Sequence, residues 1–147
     1  MHIRQKVAEA FEAILEEIRP NQLPKSMKPI EASKDGLFSV YINEEQITKR
    51  ADDVNTPIYY QRSLVLEIEI AVANAEQTNR FLVHELSQLV EEAVAEAGVD
   101  LDGLVDDVQL LGFTLEHTND STQTQVGVLS YQVDYVTLAT DVETDTF

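Results

Sequence analysis

The densest group of side chains that could bind a metal ion or take part in catalysis is an acidic stretch between residues 100 and 107. It carries Asp100, Asp102, Asp106 and Asp107 around Gly103, and carboxylates beside a glycine turn are ligands that Ca²⁺ takes in EF-hand loops. The order here differs from such a loop, which has alternating acids before the glycine and a Glu six residues beyond it. We interpret the stretch as a capped turn leading into a strand, and a weak Ca²⁺-binding module remains an alternative.

Two other places hold residue types that take part in metal binding or acid–base chemistry. His84 and Glu85 match the start of the zinc-protease motif, but Gln88 stands where the second His is required. Glu67 and Glu69 are two residues apart in an alternating segment, so they share a strand face on which paired carboxylates can act as acid and base. An exposed strand face is the simpler interpretation. The sequence has neither a Ser-nucleophile motif nor a Gly-rich phosphate loop, and we predict no enzymatic activity, cofactor or metal site.

Charge divides the chain at Arg80, the last basic residue. Residues 1–80 hold all 10 Lys and Arg residues and 13 acidic residues, whereas residues 81–147 hold 14 acidic residues and no Lys or Arg. Affinity for nucleic acid comes largely from Lys and Arg, so the second half predicts repulsion of DNA or contact with a basic protein surface. The lack of Cys fits assembly in a reducing cytosol. We find no secretory signal and no apolar run near the ~20 residues of a membrane helix, so we expect no membrane association.

Apolar residues at three- and four-residue spacing predict two amphipathic helices. The first ends before Pro20 and has the stripe Ile3, Val7, Ala10, Phe11, Ile14 and Ile18. The second begins after an N-cap at Thr78 or Asn79 and ends at Gly98, which supplies a left-handed residue. Its stripe consists of Leu82, Leu86, Leu89, Val90, Ala93 and Ala97. Residues 20–36, which include three prolines, are expected to form an irregular connection.

Alternating apolar residues predict four strands, over Leu37–Ile42, Arg62–Val72, Val108–His117 and Val126–Leu138. The expected inward residues of the last two strands are Leu111, Phe113, Leu115, Leu129, Tyr131, Val133 and Tyr135. A hairpin turn is expected at residues 119–122.

These elements predict an α+β fold in the order α-β-β-α-β-β, with a four-stranded, mostly antiparallel sheet and the helices packed on one face. Residues 1–138 are expected to form one domain with a long polar loop over residues 43–57. Residues 139–147 are expected to form an acidic tail.

Three segments carry a family resemblance: RSLVLEIEI at residues 62–70, LDGLVDDVQL at 101–110 after a helix, and GVLSYQVDY at 127–135. In this order and spacing they resemble the tail terminator family of long-tailed bacteriophages, the minor tail protein U-like or tail completion proteins. The resemblance covers nearly the whole chain. It implies a virion structural protein that forms a ring, usually a hexamer, which stops tail-tube polymerisation and presents a surface to the head connector.

The resemblance also implies partners and a location. The partners are other copies of the chain, the tail tube protein and the head–tail connector protein, and DNA passes through the ring without specific binding. The protein is expected in the virion tail after assembly in the host cytoplasm. A small acidic adaptor that binds a basic protein is the alternative.

Two sets of residues are candidates for these roles. A ring of identical subunits needs two unlike patches, and the basic candidates for a ring or tube interface are Lys25, Lys28, Lys34, Lys49 and Arg50. A channel for DNA benefits from an anionic lining. The candidate lumen acids are Glu67, Glu69, Asp100, Asp102, Asp106, Asp107 and Glu116.

Overall fold

The structure is a computed structural model that describes residues 1–18, 38–50, 57–72, 82–117, 125–143 and 145. Within these residues, two helices and four strands follow one another in the order α-β-β-α-β-β. They are α1 (Ile3–Glu16), β1 (Phe38–Arg50), β2 (Tyr59–Val72), α2 (Leu82–Ala97), β3 (Asp107–His117) and β4 (Gln125–Leu138). The α+β class and the element order that the sequence predicts are confirmed.

The four strands form one sheet in the spatial order β1-β2-β4-β3, and every neighbouring pair is antiparallel. Both helices lie on the same face of this sheet, because β2 and β4 turn their apolar alternate residues toward that side. The predicted inward residues of β4 are buried there. The largest side chains that lose all or nearly all contact with solvent are Tyr135, Phe11, Ile3, Leu64, Leu66, Ile68, Ile70, Leu82, Leu86, Leu129 and Val7.

Local signals set two of the helix ends. α1 begins after His2, whose Nδ1 accepts the backbone N–H of Arg4 at 3.1 Å, while Gln5 Oε1 accepts the backbone N–H of His2 at 3.1 Å. This capping box satisfies two donors at the helix start. α2 ends at Gly98, whose φ of 91° is the left-handed conformation expected of a helix-ending glycine.

β1 is twice as long as the sequence pattern indicated. The predicted loop over residues 43–57 is wrong for residues 43–50, which continue β1 and pair with β2 from Val65 to Tyr59. A bulge between Ile42 and Glu44 inserts one residue. Because side chains alternate with period two, the extra residue moves the helix-facing positions from even to odd numbers. The apolar alternation therefore breaks at Asn43 although the strand goes on.

A second bulge changes the orientation of residues in β3. It lies between Leu110 and Gly112, so Leu110 pairs with Tyr131 and Phe113 pairs with Leu129, while Leu111 has no partner of its own. The prediction that Leu111 points inward is wrong, because the inserted residue is left out of the alternation and its side chain is exposed. Leu110 takes its place on the helix side.

The predicted acidic tail is wrong for the described part of residues 139–147. The chain turns after β4 and runs back beside α1, where the Val142 carbonyl accepts the Ile3 backbone N–H at 2.9 Å. Lys6 Nζ donates to the Glu143 carbonyl at 2.7 Å. Asp145 Oδ1 accepts the Val136 backbone N–H at 3.0 Å. The segment thus joins the first helix to the end of the last strand.

Three expectations fall on parts of the chain outside the described residues. These are the irregular connection over residues 20–36, the helix cap at residues 78 and 79, and the hairpin turn at residues 119–122.

Gly127 marks a close approach between β4 and α2. A Cβ at this position would meet Val83 Cγ1 at 2.5 Å and Phe113 Cε2 at 2.8 Å. Val83 is fully buried in the hydrophobic core, so we expect Gly127→Ala to lower the free energy of unfolding by about 2 kcal/mol. Gly112→Ala is the control, because nothing lies within 4 Å of its added Cβ. Equal urea midpoints for the two variants would contradict this packing.

Candidate functional site

The sheet face that the two helices leave uncovered is polar and acidic. Residues that pair across an antiparallel sheet share a face, and the register places six carboxylates on this one: Glu44, Glu67, Glu69, Asp107, Glu116 and Asp134. Among the described residues that the register assigns to this face, Arg50 at its margin is the single Lys or Arg. The face therefore repels polyanions and attracts cationic surfaces.

A pocket of about 330 Å³ lies at one end of this face. Its floor is held by Asp134, whose Oδ1 accepts Ser63 Oγ at 2.5 Å and Gln132 Nε2 at 3.1 Å. Asp106 borders the pocket from the turn before β3, and its backbone N–H donates to the Asp134 carbonyl at 2.9 Å. Asp134 is thus held by neutral donors.

Three carboxyl groups come together where the C-terminal segment meets this pocket. Burial, a hydrogen bond with the Asp145 side chain and the negative charges of Asp145 and Asp134 raise the pKa of Asp106 from 3.8 to about 7. Burial disfavours the charged form of a carboxyl group, and nearby negative charges disfavour it further. Asp106 therefore keeps its proton until the pH approaches neutrality.

A buried ion network on the opposite, helix-covered side holds β1 in place. Glu45 Oε1 accepts Arg62 Nη1 at 2.6 Å and Arg4 Nη1 at 3.2 Å, and Glu45 Oε2 accepts the Tyr135 hydroxyl. Arg62 Nε donates to Thr137 Oγ1 at 2.9 Å. The side chains of Glu45 and Arg62 are 5% and 7% exposed. The network joins α1, β1, β2 and β4 through one carboxylate.

Burial and the two arginines of this network keep His2, which caps α1, in its neutral form. Burial lowers the pKa of His2, and the positive charges of Arg4 and Arg62 lower it further. A neutral imidazole keeps the lone pair on Nδ1 that accepts the Arg4 backbone N–H. The helix start and the ion network therefore support each other.

The two strands at the edges of the described sheet are unlike in charge. β1 ends in Lys49 and Arg50, and the Arg50 Nε–H donates to Gln61 Oε1 at 2.9 Å, which fixes its direction. β3 begins at Asp107, directly after Asp106. Both edges also carry exposed apolar side chains: Tyr41, Ile42 and Ile47 on β1, and Leu110, Leu111 and Phe113 on β3. An edge strand with exposed apolar residues is a template for pairing with another chain.

An apolar groove of about 290 Å³ runs beside β3 on the helix side. It is lined by Glu91, Val94, Ala95, Gly98, Val99, Val108, Leu110 and Tyr131. Val99 and Leu110 are 65% and 41% exposed at its mouth. Among the described residues, Glu91 is the single charged one in this lining.

The structure separates the predicted site residues into three groups. Of the candidate lumen acids, Glu67, Glu69, Asp107 and Glu116 share the uncovered face, and Asp106 borders its pocket. Asp100 and Asp102 instead lie in the turn that follows α2. Of the basic candidates, Lys49 and Arg50 are on the β1 edge, whereas Lys25, Lys28 and Lys34 lie outside the described residues.

The histidines and acids do not assemble into a metal centre where the structure describes them. Across the described ranges, no group of three or more His, Asp or Glu is arranged to hold a metal ion. His84 is exposed on α2, and its ring centroid lies 5.6 Å from that of Phe113. Leu101 and Asp102 have φ values of 49° and 59°, so the acidic stretch forms a tight turn of left-handed residues.

Sequence reasoning missed Glu45, Arg62 and Asp134 as structural determinants of this site. The polar pattern around Glu45 predicts a loop, and the alternation that begins at Arg62 predicts a strand. One signal was available for Arg62, because it lies two residues before Leu64 in the alternation and so points to the apolar side. A buried Arg needs a carboxylate partner, but the sequence does not tell which one.

Neither a known family model nor a curated protein matches this chain. Within the described residues, neither helix combines the length and apolar character that crossing a lipid bilayer takes.

The Glu45 network predicts a large difference between two adjacent glutamates. Glu45→Gln keeps the shape but removes the charge that compensates Arg62, so we expect the free energy of unfolding to fall by about 3 kcal/mol. Glu44→Gln changes an exposed residue on the other face, and we expect a change within about 0.5 kcal/mol. Urea denaturation measures both. Similar midpoints for the two variants would contradict the network.

The raised pKa of Asp106 predicts a pH-dependent effect. The folded-state pKa of about 7 exceeds the ordinary 3.8, so the free energy of unfolding falls as pH rises through this interval. Asp106→Asn removes this loss, and we expect its melting temperature to exceed that of the parent protein above pH of about 7, with the gap closing toward pH of about 4. Asp102→Asn, in an exposed turn, is the control. A gap that stays constant with pH would contradict the raised pKa of Asp106.

Proposed function

We propose that this chain is a structural protein of a phage virion that assembles into a ring, caps the tail tube and joins the tail to the head connector. The ring ends polymerisation of the tube, and DNA passes through it without specific binding. Its place is the virion tail, after assembly in the host cytoplasm. The observation that carries this proposal is the acidic sheet face that the helices leave uncovered.

An acidic face suits the wall of a DNA channel for an electrostatic reason. Duplex DNA carries about one negative charge per 1.7 Å of its axis, and Lys or Arg side chains bind it by displacing counterions. A wall of carboxylates offers no such contacts and repels the phosphates over roughly 8 Å at physiological salt. DNA in the middle of such a channel slides freely, because the wall offers no binding site from which the DNA would have to dissociate.

The arrangement of layers supports the same assignment. The sheet presents its acidic face on one side, and both helices cover the other side. A ring with the sheet turned inward leaves the helices outside, where their exposed acids stay solvated. Ring closure also needs two unlike patches on one subunit, and the edges β1 and β3 differ in charge.

A small acidic adaptor that binds a basic protein is the second candidate, and the same uncovered face favours it. The two proposals differ in what lies over the face. In a ring the face borders an open channel, whereas in an adaptor it is filled by the partner. The oligomeric state of the purified chain and its response to DNA separate them.

The ring proposal predicts a topology-dependent gain of DNA binding. We expect the parent protein to form rings of about six subunits by native mass spectrometry and to bind little DNA. The test uses one triple variant, Glu67→Lys, Glu69→Lys, Glu116→Lys. Its preformed rings should bind linear DNA, which can thread into the basic lumen from a free end. Closed DNA circles of equal length should stay unbound because they cannot thread. This binding should weaken steeply with salt.

The matched control places the same charge change on the outside. Glu9→Lys, Glu12→Lys, Glu16→Lys alters exposed positions of α1 and should bind linear and circular DNA alike. Gel mobility shifts at several salt concentrations give both comparisons. Only monomers and dimers at high concentration, with or without tail tubes, would contradict the ring. Equal binding of linear and circular DNA by the sheet-face variant would contradict an inward-facing sheet.

A further inference from the structure

The directions of the edge strands permit the sheet to continue from one copy to the next. All neighbouring strands in the order β1-β2-β4-β3 are antiparallel, so β1 and β3 run in opposite directions. When a second copy is placed beside the first by rotation about an axis along the strands, its β1 lies antiparallel to β3. The alternation then continues without interruption across the junction.

The two edges also match in length and in the type of residue they expose. β1 has 13 residues and β3 has 11. On the helix side, β1 exposes Ile47, which is 50% exposed, and β3 exposes Leu110 beside the open apolar groove. The exposed Ile47 on the β1 edge of one copy is therefore a suitable side chain to fill the apolar groove beside the β3 edge of the next copy.

We propose that β1 of a second copy of this chain pairs antiparallel with β3, with Ile47 of the second copy opposite Leu110 and seated in the groove beside α2. This register puts Arg50 of the second copy opposite Asp107 and its Lys49 opposite Val108. It deepens the proposed ring by naming the contact between neighbours, and for ring closure it rests on that proposal.

Side-chain alternation supports the register. Ile47 pairs with Arg62 within its own sheet, and Leu110 pairs with Tyr131, so both point to the helix side. Arg50 pairs with Tyr59, and Asp107 pairs with Asp134, so these two point to the uncovered side. A register shifted by one residue would set apolar side chains against the acidic face.

Charge supports the same pairing. The antiparallel direction brings the end of β1, with Lys49 and Arg50, against the beginning of β3, with Asp106 and Asp107. On the helix side, Lys49 of the second copy comes beside Glu91, a charged residue of the groove lining. Opposite charges across a contact select the partner and its orientation, while the apolar groove and the backbone hydrogen bonds supply adhesion.

Unlike edges make this contact heterologous. Each pair of copies leaves one β1 and one β3 free, so addition continues until the first and last copies meet. Pairing of β1 with β1 would bring Lys49 and Arg50 of two copies near each other and would stop at a dimer.

Cysteine cross-linking tests the register because the chain has no Cys of its own. The double variant Ile47→Cys, Leu110→Cys should give a ladder of disulfide-linked multimers under mild oxidation. Directly opposite residues are close enough for a disulfide. Thr48→Cys, Leu110→Cys is the matched control. Its first cysteine points to the other face, so we expect about tenfold less cross-linking.

Each result decides a separate question. Native rings without cross-linking of Ile47→Cys, Leu110→Cys would overturn the register and leave the proposed ring intact. A cross-linked ladder without closed rings would support the register and overturn the ring. Oxidised dimers from Ile47→Cys alone would overturn the heterologous contact. As a second measurement, Arg50→Asp should reduce assembly and Asp107→Arg should restore it in the double variant; failure of this restoration would count against the register.

Discussion

The buried pair formed by Glu45 and Arg62 is the interaction on which the candidate functional surfaces of this protein depend. Removing two charges from water is unfavourable unless their partners are well placed, and here one carboxylate is bonded by Arg62, Arg4 and Tyr135. The pair satisfies its own polar groups only in one register of β1 on β2. It therefore specifies the second half of β1, which carries the Ile47 edge and the basic end of the strand.

The sheet separates three kinds of surface by simple alternation. Positions that point toward the helices form the core, and positions that point away carry the carboxylates. The two edges of the described sheet carry exposed apolar residues. This separation allows the uncovered face to carry many carboxylates while the core on the other side stays apolar. The acidic residues of the sheet and helices lie mainly on the uncovered face and on the outer sides of the helices, where water and salt screen their charge.

Two β-bulges set the relation between these surfaces. The bulge after Ile42 turns Glu45 and Ile47 to the helix side, and the bulge after Leu110 turns Phe113 to the same side. Without them, the end of each edge strand would present its apolar residues on the acidic face. Bulges are frequent at sheet edges, where they redirect side chains, and here they bring both edges into the same phase. The proposed pairing of β1 with β3 of another copy requires that the apolar side chains of both edges lie on the same side of the sheet.

Much of the fold was visible in local patterns. The stripes of α1 and α2, the alternation in β2 and β4, and Gly98 at the end of α2 determined the α+β order and most of the core, because each signal lies within a few residues and reports one buried face. The acids Glu67 and Glu69 were assigned to one strand face for the same reason. The charge division at Arg80 was likewise plain from residue types alone.

Only the tertiary structure decided the extent of β1, the exposure of Leu111 and the attachment of residues 139–143. A bulge adds one residue and has no sequence signature of its own. The break in apolar alternation that it causes therefore looks like the start of a loop although the strand continues. The contacts of Glu45 with Arg4 and Tyr135 span 41 and 90 residues. Their partners are chosen by proximity that exists only after the sheet has formed. Composition and periodicity determine which face of an element is buried, whereas partner and register depend on the packing of distant segments.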